Sequence, residues 1–89
     1  MTWHYIVSRS QYNDIDHGIE YLYEIREYYE FADGKTAWTE DPIKPIGDSV
    51  EELGIVLTQM LNDLRSGEIL DLTLDPPMLL KPGQEAVRA

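Results

Sequence analysis

The densest group of side chains that could bind a metal ion lies near the N-terminus. Asp14, Asp16, His17 and Glu20 fall within one short polar stretch, and hard cations are bound by several carboxylate oxygens at once. The stretch lacks the twelve-residue calcium-loop pattern with its closing glutamate, and His4 is too far away in the sequence to form a two-histidine helical motif. We therefore expect an ordinary polar loop, with no metal and no cofactor.

Motifs for covalent catalysis are also missing from the sequence. No serine lies in a nucleophile elbow, and the glycines are isolated instead of forming a phosphate-binding loop. Carboxylates are so frequent, with 17 acidic residues, that no pair of them indicates a hydrolase. We expect no catalytic activity. The remaining enzyme hypothesis is a small metal-dependent enzyme that uses Asp14, Asp16 and His17.

The charge of the chain restricts its partners. Its 89 residues carry a formal net charge of −10, and the isoelectric point is near 4.3. Because phosphates are bound by lysine and arginine, we expect neither nucleic-acid binding nor binding to an anionic membrane, and we expect a basic protein partner. The absence of cysteine and of an apolar N-terminal run predicts a cytoplasmic protein without a signal peptide.

One helix is predicted within residues 47–67. Ser49 followed by Glu52 is a capping-box pattern, which places the first helical residue near Val50, and Gly67 suits a left-handed C-cap. Apolar residues recur between these ends at the helical spacing and should form a stripe against the sheet. The stripe consists of Val50, Leu53, Leu57, Met60, Leu61 and Leu64.

Strands are predicted on both sides of this helix. Residues 3–8 are aromatic and β-branched, whereas residues 10–18 are rich in turn formers and are predicted as a connection. Residues 19–31 alternate between two faces. We expect a buried face with Ile19, Tyr21, Tyr23, Ile25, Tyr29 and Phe31, and a solvated face with Glu20, Glu24, Arg26 and Glu30.

The Asp33-Gly34 pair predicts a hairpin into residues 35–40, for which two registers compete. A two-residue turn pairs Trp38 with Tyr29 on the apolar face. A three-residue loop with a bulge at the glycine pairs Trp38 with Tyr28 on the outer face and gives Arg26 an acidic partner. Burial of the tryptophan favours the first register and charge pairing favours the second. We predict the bulged register.

The fold class predicted from these elements is α+β. Residues 41–47 contain two prolines and are predicted as an extended crossover to the helix, and residues 68–74 alternate as a last strand. We expect a three- to four-stranded, mainly antiparallel sheet with one helix packed on one face, in the order βββαβ. Residues 1–75 form the domain, and residues 76–89 form a tail that is flexible or docked on a partner.

A partner-binding surface is predicted on the outer face of the second strand and on the hairpin after it. A row of carboxylates can imitate nucleic-acid phosphates toward a basic protein, and tyrosine and tryptophan are frequent interface anchors. A merely solubilising face is the alternative. The predicted partner-binding residues are Glu20, Glu24, Tyr28, Glu30, Trp38, Glu40 and Asp41.

The order of elements and the motif Gly47-Asp48-Ser49-Val50-Glu51-Glu52-Leu53 resemble the HicB-like antitoxin domain over about residues 3–74. The resemblance implies a half-size ribonuclease H-like fold and neutralisation of a small basic ribonuclease toxin. That family typically carries a C-terminal DNA-binding segment, and the tail after Pro77 is shorter than such a segment. The chain also resembles small uncharacterised bacterial proteins with Trp38-Thr39-Glu40 before a proline, which imply no function.

These observations predict a non-catalytic, acidic protein-binding module. Its expected role is to inhibit a basic nuclease or nucleic-acid-binding protein, such as a toxin ribonuclease or, in a phage, a defence nuclease blocked by an anti-CRISPR-like nucleic-acid mimic. The alternative is a structural or accessory subunit whose open sheet face and tail at residues 78–80 are buried in an oligomer. A homodimer is compatible with both hypotheses.

Overall fold

The computed structural model describes residues 1–83, which contain five strands and one helix. The elements are β1 (Thr2–Asp14), β2 (Gly18–Glu30), β3 (Thr36–Trp38), α1 (Val50–Leu64), β4 (Ile69–Asp71) and β5 (Met78–Leu80). All strands join one sheet in the order β3-β2-β1-β4-β5. The predicted α+β class is confirmed, but the sheet has five strands and is mixed, because β1 and β4 run parallel while the other neighbours are antiparallel.

A long hairpin of β1 and β2 forms the centre of the sheet. The two strands pair along their whole length, from Thr2 opposite Glu30 to Asp14 opposite Gly18. The predicted connection at residues 10–18 is therefore mostly strand, because pairing with β2 outweighs the weak strand propensity of these turn formers. β3 and β4 pair with the other end of the hairpin. Among residues 1–83, residues 10–14 and 18–22 therefore pair only with each other.

The main apolar core lies on the even-numbered face of this hairpin. It consists of Ile6, Tyr28 and Leu70, with Trp38, Leu72 and Leu79 packed around them. The predicted orientation of β2 is therefore wrong at Arg26, which was expected to be solvated and is buried, whereas Glu30 is exposed as predicted. Because the helix packs mainly on β1, the odd-numbered face of β2, which was expected to be buried, stays open along the first half of the strand. Three of its apolar side chains are more than half exposed: Ile19, Tyr21 and Tyr23.

The helix begins at Val50, as its cap predicts. The Ser49 hydroxyl oxygen accepts a hydrogen bond from the Glu52 backbone N–H at 3.1 Å, which satisfies one of the unpaired donors of the first turn. The predicted apolar stripe is only partly correct, because the buried side of the helix is centred on Met60. Three members of the stripe are exposed: Val50, Leu57 and Leu61.

The bulged register between β2 and β3 is confirmed. Trp38 lies opposite Tyr28, and the Phe31 backbone N–H donates to the Lys35 carbonyl oxygen at 2.9 Å across the loop. Gly34 has a φ of 86°, a left-handed conformation that glycine adopts without a steric penalty. The bulge therefore sets which side chains of β3 share a face with those of β2.

The C-terminal part of the sheet extends beyond the predicted domain boundary at residue 75. β5 pairs antiparallel with β4, with Leu79 opposite Leu70, and Leu80 is buried. The predicted tail thus begins with an edge strand, and its last residues, 84–89, lie outside the described range. In the described part of the chain, no helix is long and apolar enough to cross a membrane.

Candidate functional site

The predicted acidic row lies on the even-numbered face of β2. One Glu24 carboxylate oxygen is 3.6 Å from the Arg26 guanidinium, and one Glu30 oxygen is 3.9 Å from the His4 Nδ1. Glu20 forms no ion pair within residues 1–83. Because a strand rises roughly 3.3 Å per residue, Glu20 and Glu30 are about 33 Å apart along β2, so the row is an extended line of charge and not one compact patch.

The aromatic pair predicted on an open face is part of the core. The Tyr28 and Trp38 rings stack with centroids 6.4 Å apart and an angle of 5° between their planes. Tyr28 is only 5% exposed, and Trp38 is half-buried. The expectation of exposure is therefore wrong for Tyr28, because apolar side chains from the neighbouring strands, among them Trp38, Leu70 and Leu79, pack on the same face of the sheet.

Arg26 connects β2 to the segment that follows β3. Its Nε donates to the Ser8 hydroxyl oxygen at 2.8 Å, and its Nη1 donates to the carbonyl oxygens of Thr39 and Glu40. The guanidinium is buried, and a buried charge is stabilised when all its donors find oxygen acceptors. These bonds hold the exposed side chains of Glu40 and Asp41 beside the edge of β2.

Arg26 was predicted as a solvated residue, and its structural role was missed. The only hint in the sequence is the bulged register, which places an arginine opposite the end of β3.

The predicted partner-binding residues fall into two groups. Glu24, Glu40 and Asp41 lie near this junction, whereas Glu20 lies toward the free end of the hairpin.

The polar stretch that contains Asp14, Asp16 and His17 forms the turn between β1 and β2. The Asp14 carboxylate accepts the Asp16 backbone N–H at 2.8 Å and lies 3.3 Å from the His17 Nδ1. The hydrogen bond from the Asp16 backbone has the largest effect and lowers the pKa of the Asp14 carboxyl, and the hydrogen bond from the His17 side chain lowers it further. Across residues 1–83, no three His, Cys, Asp or Glu side chains are grouped to hold a metal ion.

A broad apolar surface was missed because the exposed face of the sheet was expected to be the polar one. On the odd-numbered face, the Arg9 guanidinium carbon lies 5.1 Å from the centre of the Tyr21 ring. The alternation of residue types along β2 correctly places Ile19, Tyr21 and Tyr23 on one face, but it does not determine which face of the strand is covered by other elements. The large exposed apolar residues of this face and of the helix are Trp3, Ile19, Tyr21, Tyr23, Val50, Ile55, Leu57 and Leu61.

A cavity of about 380 Å³ lies where the start of β1 meets the second half of α1. The Asp63 carboxylate accepts the Tyr5 backbone N–H at 2.9 Å and joins the two elements there. Burial raises the pKa of the Tyr5 phenol, and the Glu27 and Asp63 carboxylates raise it further. Sequence patterns do not find this site, because its two walls are more than fifty residues apart in the chain.

Comparison of the chain with protein-family models, with curated proteins and with solved structures finds no match.

Proposed function

We propose that this chain is a non-catalytic acidic module that binds and inhibits a basic nuclease or nucleic-acid-binding protein, in the manner of an antitoxin. The observation that carries the proposal is a set of exposed or half-exposed carboxylates without ion-pair partners, in a chain of net charge −10. Glu20, Glu40 and Asp41 form no ion pair within residues 1–83. Such carboxylates are available to the lysines and arginines of a partner.

Competition with nucleic acid follows from the same charges. A nuclease binds phosphates through a basic surface, and an acidic protein that occupies this surface excludes the substrate. Complementary charge also accelerates association, by an amount that decreases as salt is added. The resemblance of residues 47–53 to the HicB-like opening motif supports the same class of partner.

Affinity capture from a lysate of the source organism tests this proposal. The immobilised chain should retain a basic nucleic-acid-binding protein at low salt, and retention should fall steeply between 50 and 500 mM salt, by roughly tenfold or more. The recovered protein should then lose its nucleic-acid binding or cleavage when the purified chain is added. Recovery of no such protein, or of one whose binding does not respond to salt, argues against the proposal.

Two charge-matched triple variants locate the surface. Glu20→Gln, Glu40→Gln and Asp41→Asn together should weaken capture, because they remove unpaired carboxylates from both groups of predicted partner-binding residues. The control triple Asp48→Asn, Glu51→Gln and Asp75→Asn has the same net charge and changes exposed residues away from the hairpin end and from the segment after β3. Equal loss in both variants would mean that net charge alone, and not this surface, determines binding.

The second candidate function is that of a structural or accessory subunit. It is favoured by the exposed apolar side chains on the odd-numbered face and on the helix, since monomeric proteins rarely leave large contiguous apolar patches open. Light scattering on the purified chain tests this candidate. A stable monomer across the micromolar to millimolar range contradicts the role of a homo-oligomeric subunit, whereas a concentration-dependent dimer supports that role.

A further inference from the structure

The cavity between β1 and α1 has walls of two chemical kinds. It is lined by Trp3, His4, Tyr5, Gln59, Asn62 and Asp63. The β1 wall is aromatic and the helix wall carries amides and a carboxylate. Its volume of about 380 Å³ lies in the lower part of the range for small-ligand sites. A single side chain of a partner, or a small molecule, is the size of occupant that fits.

The aromatic wall favours a cation. Trp3 and Tyr5 are on the same face of β1, with ring centroids 5.2 Å apart and planes at 85°. Trp3 is about half exposed, so part of its ring is open to an incoming group. Cations are attracted to the faces of aromatic rings, most strongly to that of tryptophan, and arginine is the side chain most often found there.

Two carboxylates have the matching sign, one in the lining of the cavity and one beside Tyr5. Asp63 uses one oxygen to accept the Tyr5 backbone N–H, which leaves its second oxygen without a hydrogen bond among the described residues. Glu27 is opposite Tyr5 in the β1–β2 register, and it accepts a hydrogen bond from the Tyr29 hydroxyl. Within residues 1–83, neither Asp63 nor Glu27 forms an ion pair with a lysine or arginine.

We propose that this cavity binds the guanidinium group of an arginine side chain presented by the basic partner. A guanidinium is planar, so it can lie on an aromatic face while its N–H groups point toward a carboxylate and amide oxygens in one plane. An ammonium has the charge but not the planar fork. The identity of the occupant as a partner's arginine rests on the proposed function, whereas the guanidinium selectivity of the cavity does not.

Titration of the ¹⁵N-labelled chain with Nα-acetyl-arginine-methylamide tests the selectivity by NMR. Saturable shifts are expected at the Trp3 indole N–H and at the Tyr5 amide. The citrulline analogue, which has the same shape without charge, should bind at least about fivefold more weakly, and so should the lysine analogue, since one such contact contributes roughly 1 kcal/mol. Equal binding of either analogue, or shifts confined to other residues, would overturn the proposal.

Two matched variants identify the carboxylate. Asp63→Asn removes the charge but keeps an oxygen that can accept the Tyr5 N–H, and it should lower the affinity for the arginine probe at least about fivefold. Asp16→Asn removes one charge from the hairpin turn, about 30 Å or more from Tyr5 along β1, and should leave the affinity unchanged. If Asp63→Asn does not fold, Glu27→Gln with the same probe replaces it. Unchanged affinity in the folded variant contradicts the proposal.

Partner capture separates this inference from the proposed function. If the wild-type chain and Asp63→Asn capture the basic partner equally well, the arginine site is refuted as part of the interface while the inhibitory function stands. If no basic partner is captured but the arginine probe still binds at Trp3, the proposed function fails and the guanidinium selectivity stands. Loss of both capture and probe binding in Asp63→Asn supports the full proposal.

Discussion

Arg9 and Asp71 are register partners on the parallel strands β1 and β4, and the Arg9 Nη2 lies 2.7 Å from an Asp71 carboxylate oxygen. The Asp71 side chain is fully buried. Its other oxygen accepts the backbone N–H and the hydroxyl of Thr73. Both members of this ion pair are largely shielded from water, so they depend on each other to offset the loss of hydration.

Asp71→Ala should strongly destabilise the fold. The change leaves the largely buried Arg9 charge unpaired and removes the bonds to Thr73, so we expect the free energy of unfolding to fall by about 3–5 kcal/mol. Urea unfolding followed by circular dichroism measures it. The double variant Arg9→Met with Asp71→Leu is the control, because it removes both charges and should recover most of the loss. A loss below about 1 kcal/mol in the single variant would contradict this account.

Gly47→Ala should also destabilise the chain, for a steric reason. A Cβ at this position would lie 2.5 Å from the Leu53 backbone nitrogen, so the start of α1 has to move, at an expected cost of about 1–3 kcal/mol. Gly54→Ala is the matched control in the helix interior, where a Cβ meets open space. It should stabilise the chain by about 0.5–1 kcal/mol. Thermal unfolding of the two variants should therefore show shifts of opposite sign.

Arg26→Met should loosen the segment after β3 without opening the rest of the sheet. The guanidinium bonds to Thr39 and Glu40 are lost together with the bond to the Ser8 hydroxyl, while methionine keeps much of the apolar volume of the arginine stem. We expect hydrogen exchange to become at least about tenfold faster at the amides of Thr39 and Ile43, in line with a loss of roughly 1.5–3 kcal/mol for bonds to a charged group. Both amides donate to β2.

The control for that variant is Lys35→Met, which removes an exposed charge from the loop between β2 and β3. Its exchange rates at Thr39 and Ile43 should match those of the wild type. Equal acceleration in both variants would show that the segment is held by something other than Arg26.

The turn between β1 and β2 should weaken in acid. Because the folded-state pKa of Asp14 is lowered by hydrogen bonds from Asp16 and His17, its ionised form is favoured by folding. The contribution of Asp14 to stability is therefore present above its unfolded-state pKa and is lost as the pH falls through the lower folded-state pKa. An NMR titration of the Asp16 amide should report this transition, and Asp14→Asn should abolish it. A flat wild-type titration would contradict the assignment.

The elements that the sequence predicts well are those determined by short-range chemistry. Ser49 marks the helix start because its hydroxyl satisfies a backbone donor three residues away. Gly34 sets the β2–β3 register because a left-handed residue is needed at that point of the loop. Both signals act within a few residues, so they do not depend on the rest of the fold.

The features that were missed depend on contacts between distant parts of the chain. Residues 10–14 resemble a loop by composition and become strand only through pairing with β2. Likewise, β5 is a strand only because β4 provides its ladder. The exposed face of β2 was misassigned since its exposure depends on where α1 packs. The cavity at Tyr5 and Asp63 requires the same long-range information.

The parallel pairing of β1 with β4 also bears on the order in which the chain folds. The β1–β2 hairpin joins residues that are close in sequence, so its loop closes at little entropic cost. Arg9 and Asp71 are 62 residues apart, and contacts of such separation form slowly because the intervening chain must first be ordered. The hairpin is therefore expected to serve as the early folding nucleus, with β4 and β5 docking last. Because the Arg9–Asp71 pair then forms after the transition state, it slows unfolding more than it accelerates folding.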